Sequence, residues 1–345
     1  MTIRTWKVKG NGGTTHDLPS HEYFIKNNCI SCGWSFSDVP QRDTISSFEE
    51  YKIFWNNYQK ANKDSEEKVK EWGYQGVHQL FDNVQKGDFV WTRSNGVYYV
   101  AEIPDDPQEL FYFDTSDEAA KYDCSAQLRN IKWIRIGKED SVPGSISTYT
   151  KNRASILRVD NNEVCVEREG LAYTYTSLYS GLAMGKFSEI HFEDKKMLFK
   201  FIGYSGLEDV VALWLYDKFN YVVIPSTNKI STAKYEFVLV DGSKDSQGCY
   251  INDKKIYIQV KNGDTPLNSK DYTDLIDLKN EELWLVTAYG EIDNDSGKKI
   301  ARFFHNDSCL CEEIYELDEL IDFVLNPLKK SILPDHVKKS IEYFV

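Results

Sequence analysis

The chain has 345 residues, of which 41% are hydrophobic and 28% charged, and its formal net charge is −13. This length favours two domains that each bury a core, and the composition is typical of a soluble globular protein. The acidic balance argues against a uniformly basic nucleic-acid-binding surface, although a local basic groove can coexist with carboxylates that hold a divalent cation.

The N-terminal sequence and the cysteines predict the compartment. The segment MTIRTWKVKGNGG has no apolar signal region, and no run of about 18 apolar residues occurs in the chain. The seven cysteines are scattered, with close pairs at Cys29/Cys32 and Cys309/Cys311. A zinc site needs further ligands at regular spacing, so we expect reduced thiols in a cytoplasmic protein.

Residues 1–145 are predicted to form a first domain of short strands with inserted helices. The segment SSFEEYKIFWNNYQKAN has apolar residues at helical spacing, and a second helical pattern follows up to Val84. In KGDFVWTRSNGVYYVAEI, two apolar runs flank a Ser-Asn-Gly turn, which indicates a β-hairpin. RNIKWIRIG is a further alternating strand. Strands with two helices inserted suggest a small closed β-barrel.

The rest of the chain changes character after a weakly patterned stretch. Residues 146–190 are rich in Ser, Thr, Tyr and Asn, and we predict a connecting segment there. Residues 191–345 are predicted to form an α/β domain with a central mixed sheet. Its predicted elements are, in chain order, the helix GLEDVVALWLYDKF, the strands YVVIPST, YEFVLVDG and KKIYIQVKNG, the helix TDLIDLKN, the strand ELWLVTAYG, and the helices LDELIDFVLN and PDHVKKSIEYF.

Three polar residues on two of these strands form a candidate metal site. Glu236 begins one strand, and Gln259 and Lys261 end the next. Positions i and i+2 of a strand point to the same face, so Gln259 and Lys261 project together while Val260 faces the core. Carboxylate and amide oxygens are ligands for Mg²⁺, and a nearby lysine can orient water or stabilise developing charge. Each residue alone is as well explained as a solvated strand end.

The segments GLEDVVALWL, YEF and IYIQVKNG resemble the PD-(D/E)xK nuclease superfamily, in the Mrr-like form with Gln at the second acidic position. The resemblance covers about residues 195–300. It implies that Glu236 and Gln259 hold Mg²⁺, for which Mn²⁺ may substitute, that Lys261 assists the attacking water, and that Glu208 supports the site. Because Glu stands where the family has Asp, Asp241 is a rival metal ligand.

The first domain is rich in aromatic residues, and its motifs resemble the PUA-like EVE superfamily, which includes readers of modified bases. The matching pieces are CGWSFSDV, the Lys-Gly-Asp-led hairpin and the late strand with Trp133, over about residues 28–145. The resemblance implies a base-binding pocket, for which the candidates are Trp34, Ser35, Asp38, Trp91 and Tyr112. A flipped base would stack on aromatic faces there. The plainer alternative is that these tryptophans are core residues.

Together these features predict an α/β and α+β protein: a PUA-like barrel at residues 1–145 and a nuclease domain at 191–345. We expect a modification-dependent restriction endonuclease that cuts double-stranded DNA carrying a modified base, plausibly a modified cytosine. Cutting both strands needs two active sites, so a homodimer is expected on DNA. Two alternatives stay open: a non-catalytic binding protein with a degenerate nuclease fold, and a restriction enzyme that reads unmodified bases.

Overall fold

The structure is a computed structural model that describes residues 4–10, 18–33, 35–36, 39–61, 76–142, 144–147, 155–159, 194–227, 235–273, 277, 280–306 and 309–342. The chain divides into two compact units, one of Met1–Val142 with Ile146–Glu189 and one of Pro143–Ser145 with Ile190–Val345. The protein is a mixed α/β protein with three sheets. Within the described ranges no helix is long and apolar enough to cross a membrane.

A five-stranded sheet organises the first unit. Its strands are β1 (Thr5–Val8), β3 (Phe89–Ser94), β4 (Val97–Glu102), β7 (Ile134–Gly137) and β8 (Ile156–Arg158). They lie in the order β7-β4-β3-β1-β8, with β1 parallel to β3 and the other neighbours antiparallel. The predicted hairpin is confirmed: Asn95 and Gly96 both have positive φ, 49° and 78°, as its two-residue turn requires.

A smaller sheet and several helices complete this unit. The sheet has the order β2-β6-β5, formed by β2 (Ile30–Ser31), β5 (Phe111–Phe113) and β6 (Ala126–Leu128). The helices of this half of the chain are α1 (Ser20–Asn27), α2 (Phe48–Ala61), α3 (Gly76–His78, continued by a π-helical turn over Gln79–Asn83), α4 (Asp117–Lys121) and α5 (Gly144–Ser147). The apolar spacing that predicted α2 buries Tyr51 and Trp55 in the main core.

Two features of the first unit differ from the sequence prediction. Its described strands form two open sheets, so the predicted closed barrel is not found in this part of the chain. Strand β8 lies inside residues 146–190, which were predicted only to connect domains, and it pairs with β1 at the edge of the larger sheet. A strand of three residues is too short to show an alternating pattern, and its partner lies far away in sequence.

The second unit is built on a six-stranded mixed sheet. Its strands are β9 (Tyr221–Val223), β10 (Phe237–Asp241), β11 (Lys255–Lys261), β12 (Glu281–Thr287), β13 (Ile300–Asn306) and β14 (Cys309–Tyr315). The order is β14-β13-β12-β11-β10-β9. Strands β11 and β12 run parallel and the other neighbours antiparallel, which confirms the predicted mixed sheet. The sequence analysis predicted β9 to β12 and missed the β13–β14 hairpin.

The helices of the second unit are α6 (Met197–Phe219), α7 (Lys270–Thr273), α8 (Leu317–Leu325) and α9 (Asp335–Ile341). Helix α6 contacts β11, α8 and α9, and it breaks at Gly203, where φ is 68° and ψ is −171°. The predicted helices at GLEDVVALWLYDKF, LDELIDFVLN and PDHVKKSIEYF are confirmed. The one predicted at TDLIDLKN falls mostly outside the described residues. Because α6 contacts β11, it brings Glu208 towards the end of that strand.

Candidate active site

Glu236, Gln259 and Lys261 meet at one end of the β10–β11 pair. Phe237 pairs with Ile258 in the antiparallel register, and the Glu236 amide donates to the Ile258 carbonyl at 2.8 Å. The Gln259 side-chain amide donates to Glu236 Oε1 at 2.9 Å, and Lys261 Nζ lies 3.0 Å from the same oxygen. Val260 is buried on the other face. The strand period therefore produces the convergence that the sequence predicted.

Glu208 is the fourth predicted residue of this site. Burial raises the pKa of its carboxyl to about 7, and the nearby negative charges of Glu236 and Asp209 raise it further, while Lys261 opposes them. Glu208 makes no direct hydrogen bond to the other three within the described residues, so it is linked to them through charge. At neutral pH this carboxyl exists in comparable amounts with and without its proton.

Two amide oxygens near the end of β11 are buried without a hydrogen-bond partner among the described residues. They are Oε1 of Gln259, a side chain that is 1% exposed, and Oδ1 of Asn262. Leaving such an acceptor unpaired costs about 1–3 kcal/mol. The Asn262 amide donates to the Phe199 carbonyl at 2.7 Å, close to the break of α6 at Gly203. The sequence analysis missed Asn262, although its place directly after the Gln-Val-Lys segment was a usable signal.

The donor set at this end of β11 suits a small divalent cation. It contains the carboxylates of Glu236 and Glu208 and the orphaned Gln259 oxygen, and Mg²⁺ is usually held by one or two carboxylates together with waters and substrate phosphates. A cation there would relieve the repulsion between the two carboxylates and give the amide oxygen a partner. No group of three or more His, Cys, Asp or Glu side chains that could hold a metal occurs among the described residues.

The structure does not bring Asp241 to this site. Asp241 ends β10 and pairs with Tyr221, five residues along an extended strand from Glu236, which is about 17 Å at the usual rise per residue. Its carboxylate accepts hydrogen bonds from the Ser243 amide and the Asn252 side chain, both at 2.8 Å. These bonds lower the pKa of Asp241. The register therefore does not support Asp241 as a ligand beside Gln259.

The predicted base-pocket residues are placed apart or lie outside the description. Trp34 and Asp38 are outside the described residues. Ser35 is buried, and its hydroxyl lies 3.4 Å from an oxygen of Asp123. Trp91 is buried in the five-stranded sheet, whereas Tyr112 lies on the three-stranded sheet under the Arg129 guanidinium, 3.3 Å from the ring centre.

A cavity in the first unit combines with one of these residues. It has a volume of about 420 Å³, and Trp91 lines it together with basic side chains, but Ser35 and Tyr112 do not. The sequence analysis missed these basic residues because they are few and lie in separate segments of an acidic chain.

The cysteines behave as predicted for reduced thiols. Cys29, Cys32, Cys124, Cys249, Cys309 and Cys311 are free. Burial raises the pKa of Cys29 and of Cys32 to about 12, so both remain protonated at neutral pH.

No protein-family model, no curated protein and no solved structure matches this chain.

Proposed function

We propose that the second unit is a divalent-cation-dependent nuclease domain and that the first unit directs it to a modified base in DNA. The observation that carries this proposal is the contact of one Glu236 oxygen with both Gln259 and Lys261, with Glu208 close by. An acid, an amide and a lysine on one strand-end face are the groups that phosphodiester hydrolysis uses.

Each residue has a distinct part in the proposed reaction. Glu236 and the orphaned oxygen of Gln259 would hold Mg²⁺, or Mn²⁺ in its place, and Glu208 would complete the set once it loses its proton. Such a cation polarises a phosphate and lowers the pKa of bound water. The Lys261 ammonium, 3.0 Å from Glu236, is positioned to donate a hydrogen bond to a phosphate oxygen or to the attacking water.

The proposed target follows from the first unit. Reading a modified base in a duplex requires flipping it into a pocket, and this unit has a cavity with aromatic and cationic walls. The net charge of −13 makes such a local basic site the place where a nucleic acid would bind. Cutting both strands of double-stranded DNA would require two copies of the chain.

A second candidate function is a non-catalytic binding protein with a degenerate nuclease fold. The observation that favours it is the Lys261–Glu236 ion pair, which occupies the carboxylate that the metal would need. A restriction enzyme that reads unmodified bases differs from the main proposal only in the first unit.

Plasmid cleavage separates these functions. Plasmids with and without modified cytosines are incubated with the full chain in Mg²⁺ or in EDTA. The proposal expects cleavage of modified plasmid in Mg²⁺ only, loss of cleavage in Glu236→Gln and Lys261→Met, and full activity in Lys255→Met. Lys255 is the matched control because it lies exposed on the same strand, away from the site.

The other outcomes are equally clear. Cleavage of unmodified plasmid at fixed sites supports the sequence-specific enzyme. Binding of modified DNA without cleavage in Mg²⁺ or Mn²⁺ supports the non-catalytic protein. Absence of both would refute all three functions.

A further inference from the structure

The cavity of the first unit lies on one face of the five-stranded sheet. Trp6 and Val90 face the main core on the opposite side of this sheet, whereas Phe89 and Trp91 belong to a second apolar cluster. Lys7 pairs in register with Trp91, and Arg93 pairs with Tyr98. Because paired residues and residues two apart share a face, these side chains line one side of the sheet together. The volume of about 420 Å³ lies within the range of small-molecule sites.

The charged walls of this cavity are cationic. Lys7 and Lys9 are two residues apart on one strand face, and Arg93 approaches from the neighbouring strand. None of the described residues that line the cavity is acidic; Arg93 also contacts Glu139 at its exposed rim, 3.5 Å away. Grouped cations inside a chain of net charge −13 are a feature that an anion would stabilise.

Electrostatics adds a second observation. Burial lowers the pKa of Lys7 to about 8, with Lys9 as a second cause, and burial also lowers the pKa of Lys9. Both effects disfavour the charged lysines, and a bound anion reverses both.

The remaining walls are flat and apolar. Trp91 and Tyr98 contribute aromatic surface, and Ile146 contributes aliphatic surface. The Arg93 guanidinium lies 5.5 Å from the centre of the Tyr98 ring. An inorganic anion would leave this surface without a partner, whereas a ring-bearing anion would cover it.

We propose that this cavity binds a nucleoside monophosphate unit, with its phosphate against Lys7 and Lys9 and its base against the wall formed by Trp91 and Tyr98. The unit is either a free nucleotide or one nucleotide of a nucleic-acid strand, since both present the same phosphate and ring. The assignment uses only residues of the first unit and does not depend on the metal site.

Calorimetric titration of the full chain tests this assignment. The probes are four deoxynucleoside monophosphates, inorganic phosphate and a single-stranded oligonucleotide, all in EDTA so that the proposed nuclease site plays no part. We expect saturable binding of a monophosphate or of the oligonucleotide, and at least tenfold weaker binding of inorganic phosphate. Binding of the oligonucleotide alone assigns the site to a strand, and binding of a monophosphate assigns it to a free nucleotide.

Variants locate the binding in the cavity. Lys7→Met combined with Lys9→Met is expected to weaken binding at least tenfold, whereas Lys121→Met, an exposed lysine on α4, is expected to leave it unchanged. If the double variant does not fold, Lys9→Met alone and Lys9→Arg replace it, with weakening expected only in the first. The assignment is overturned if no probe binds, if the cavity variants bind as the unchanged chain does, or if inorganic phosphate binds as tightly as every nucleotide.

Discussion

The ammonium of Lys261 lies 3.0 Å from Oε1 of Glu236, the oxygen that also accepts a hydrogen bond from Gln259 at 2.9 Å. One carboxylate oxygen thus receives two donors from side chains of the same strand face. Within the described residues, this arrangement concentrates the contacts on Oε1. The charge of the Glu236–Lys261 pair also acts on Glu208, whose pKa responds to both. These residues therefore form one electrostatic unit, and changing one changes the others.

Lys261→Met is expected to lower the rate of DNA cleavage by roughly 100-fold or more, because removing a preorganised donor from developing charge has effects of that size. Binding of Mg²⁺ is expected to persist, since the ion pair that competes for Glu236 is gone. Single-turnover cleavage rates and metal titration of the same preparation measure both effects. A cleavage rate within about threefold of the unchanged chain would remove Lys261 from the proposed mechanism.

Glu236→Gln is expected to lower the pKa of Glu208 from about 7 towards its ordinary value, because the substitution removes a neighbouring negative charge. The pKa should remain above 4.5, since burial is the larger cause and is unchanged. Carbon-detected NMR titration of the Glu208 carboxyl measures the shift. An unchanged titration would show that the two carboxylates are not coupled.

Affinity for Mg²⁺ is expected to rise by about tenfold between pH 6 and pH 8, because a metal ligand must be deprotonated and Glu208 loses its proton in this window. In Glu208→Gln the affinity should be lower and nearly independent of pH there. Calorimetry at several pH values provides the measurement. A steep pH dependence that survives in Glu208→Gln would assign the titration to another group.

Glu208 also links folding to pH. Its folded pKa of about 7 exceeds its ordinary value of 4.5, so its contribution to stability is full below pH 4.5 and is lost as the pH rises through 7. The loss is on the order of 2 kcal/mol. In Glu208→Gln this slope should be absent and the second unit more stable at pH 8. Urea denaturation, followed by amide exchange in α6, tests the slope; equal slopes in both proteins would contradict it.

Sequence and structure agree where short-range rules decide the outcome. Helical spacing located α2, the Asn95-Gly96 turn located the β3–β4 hairpin, and the period of a strand placed Gln259 and Lys261 on one face. Helix α6 was located by its apolar run, but its break at Gly203 was not foreseen.

The differences arise where a distant partner decides. Strand β8 becomes a strand by pairing with β1, the β13–β14 hairpin forms at the edge of the six-stranded sheet, and the predicted barrel requires closure that no local pattern encodes. The choice between Glu236 and Asp241 depended on the register of β10 against β11, which single residues do not reveal. Assignment of domain identity to either unit stays a prediction.

The strongest ion pair of the second unit lies away from the proposed site, around Glu282. Its carboxylate is 1% exposed and accepts hydrogen bonds from Arg302 at 2.7 and 2.9 Å, from Trp284 at 2.7 Å and from Tyr221 at 3.1 Å. Arg302 also binds Glu313 at 2.9 Å. The surrounding carboxylates raise the pKa of Arg302, so it stays charged at every pH of interest.

Arg302→Met is therefore expected to destabilise the second unit by about 3–5 kcal/mol, because it leaves the buried charge of Glu282 with Lys254 as its remaining cationic contact, 3.3 Å away. The matched control is Lys330→Met, which breaks an exposed ion pair with Glu342 and should cost less than about 1 kcal/mol. Native-state hydrogen exchange of the β12 amides reports both effects within this unit. If the two variants cost the same, the Glu282 network contributes no more than a surface pair. In that case the aromatic packing of Trp284 against Tyr315, 5.1 Å apart, would hold this face of the sheet instead.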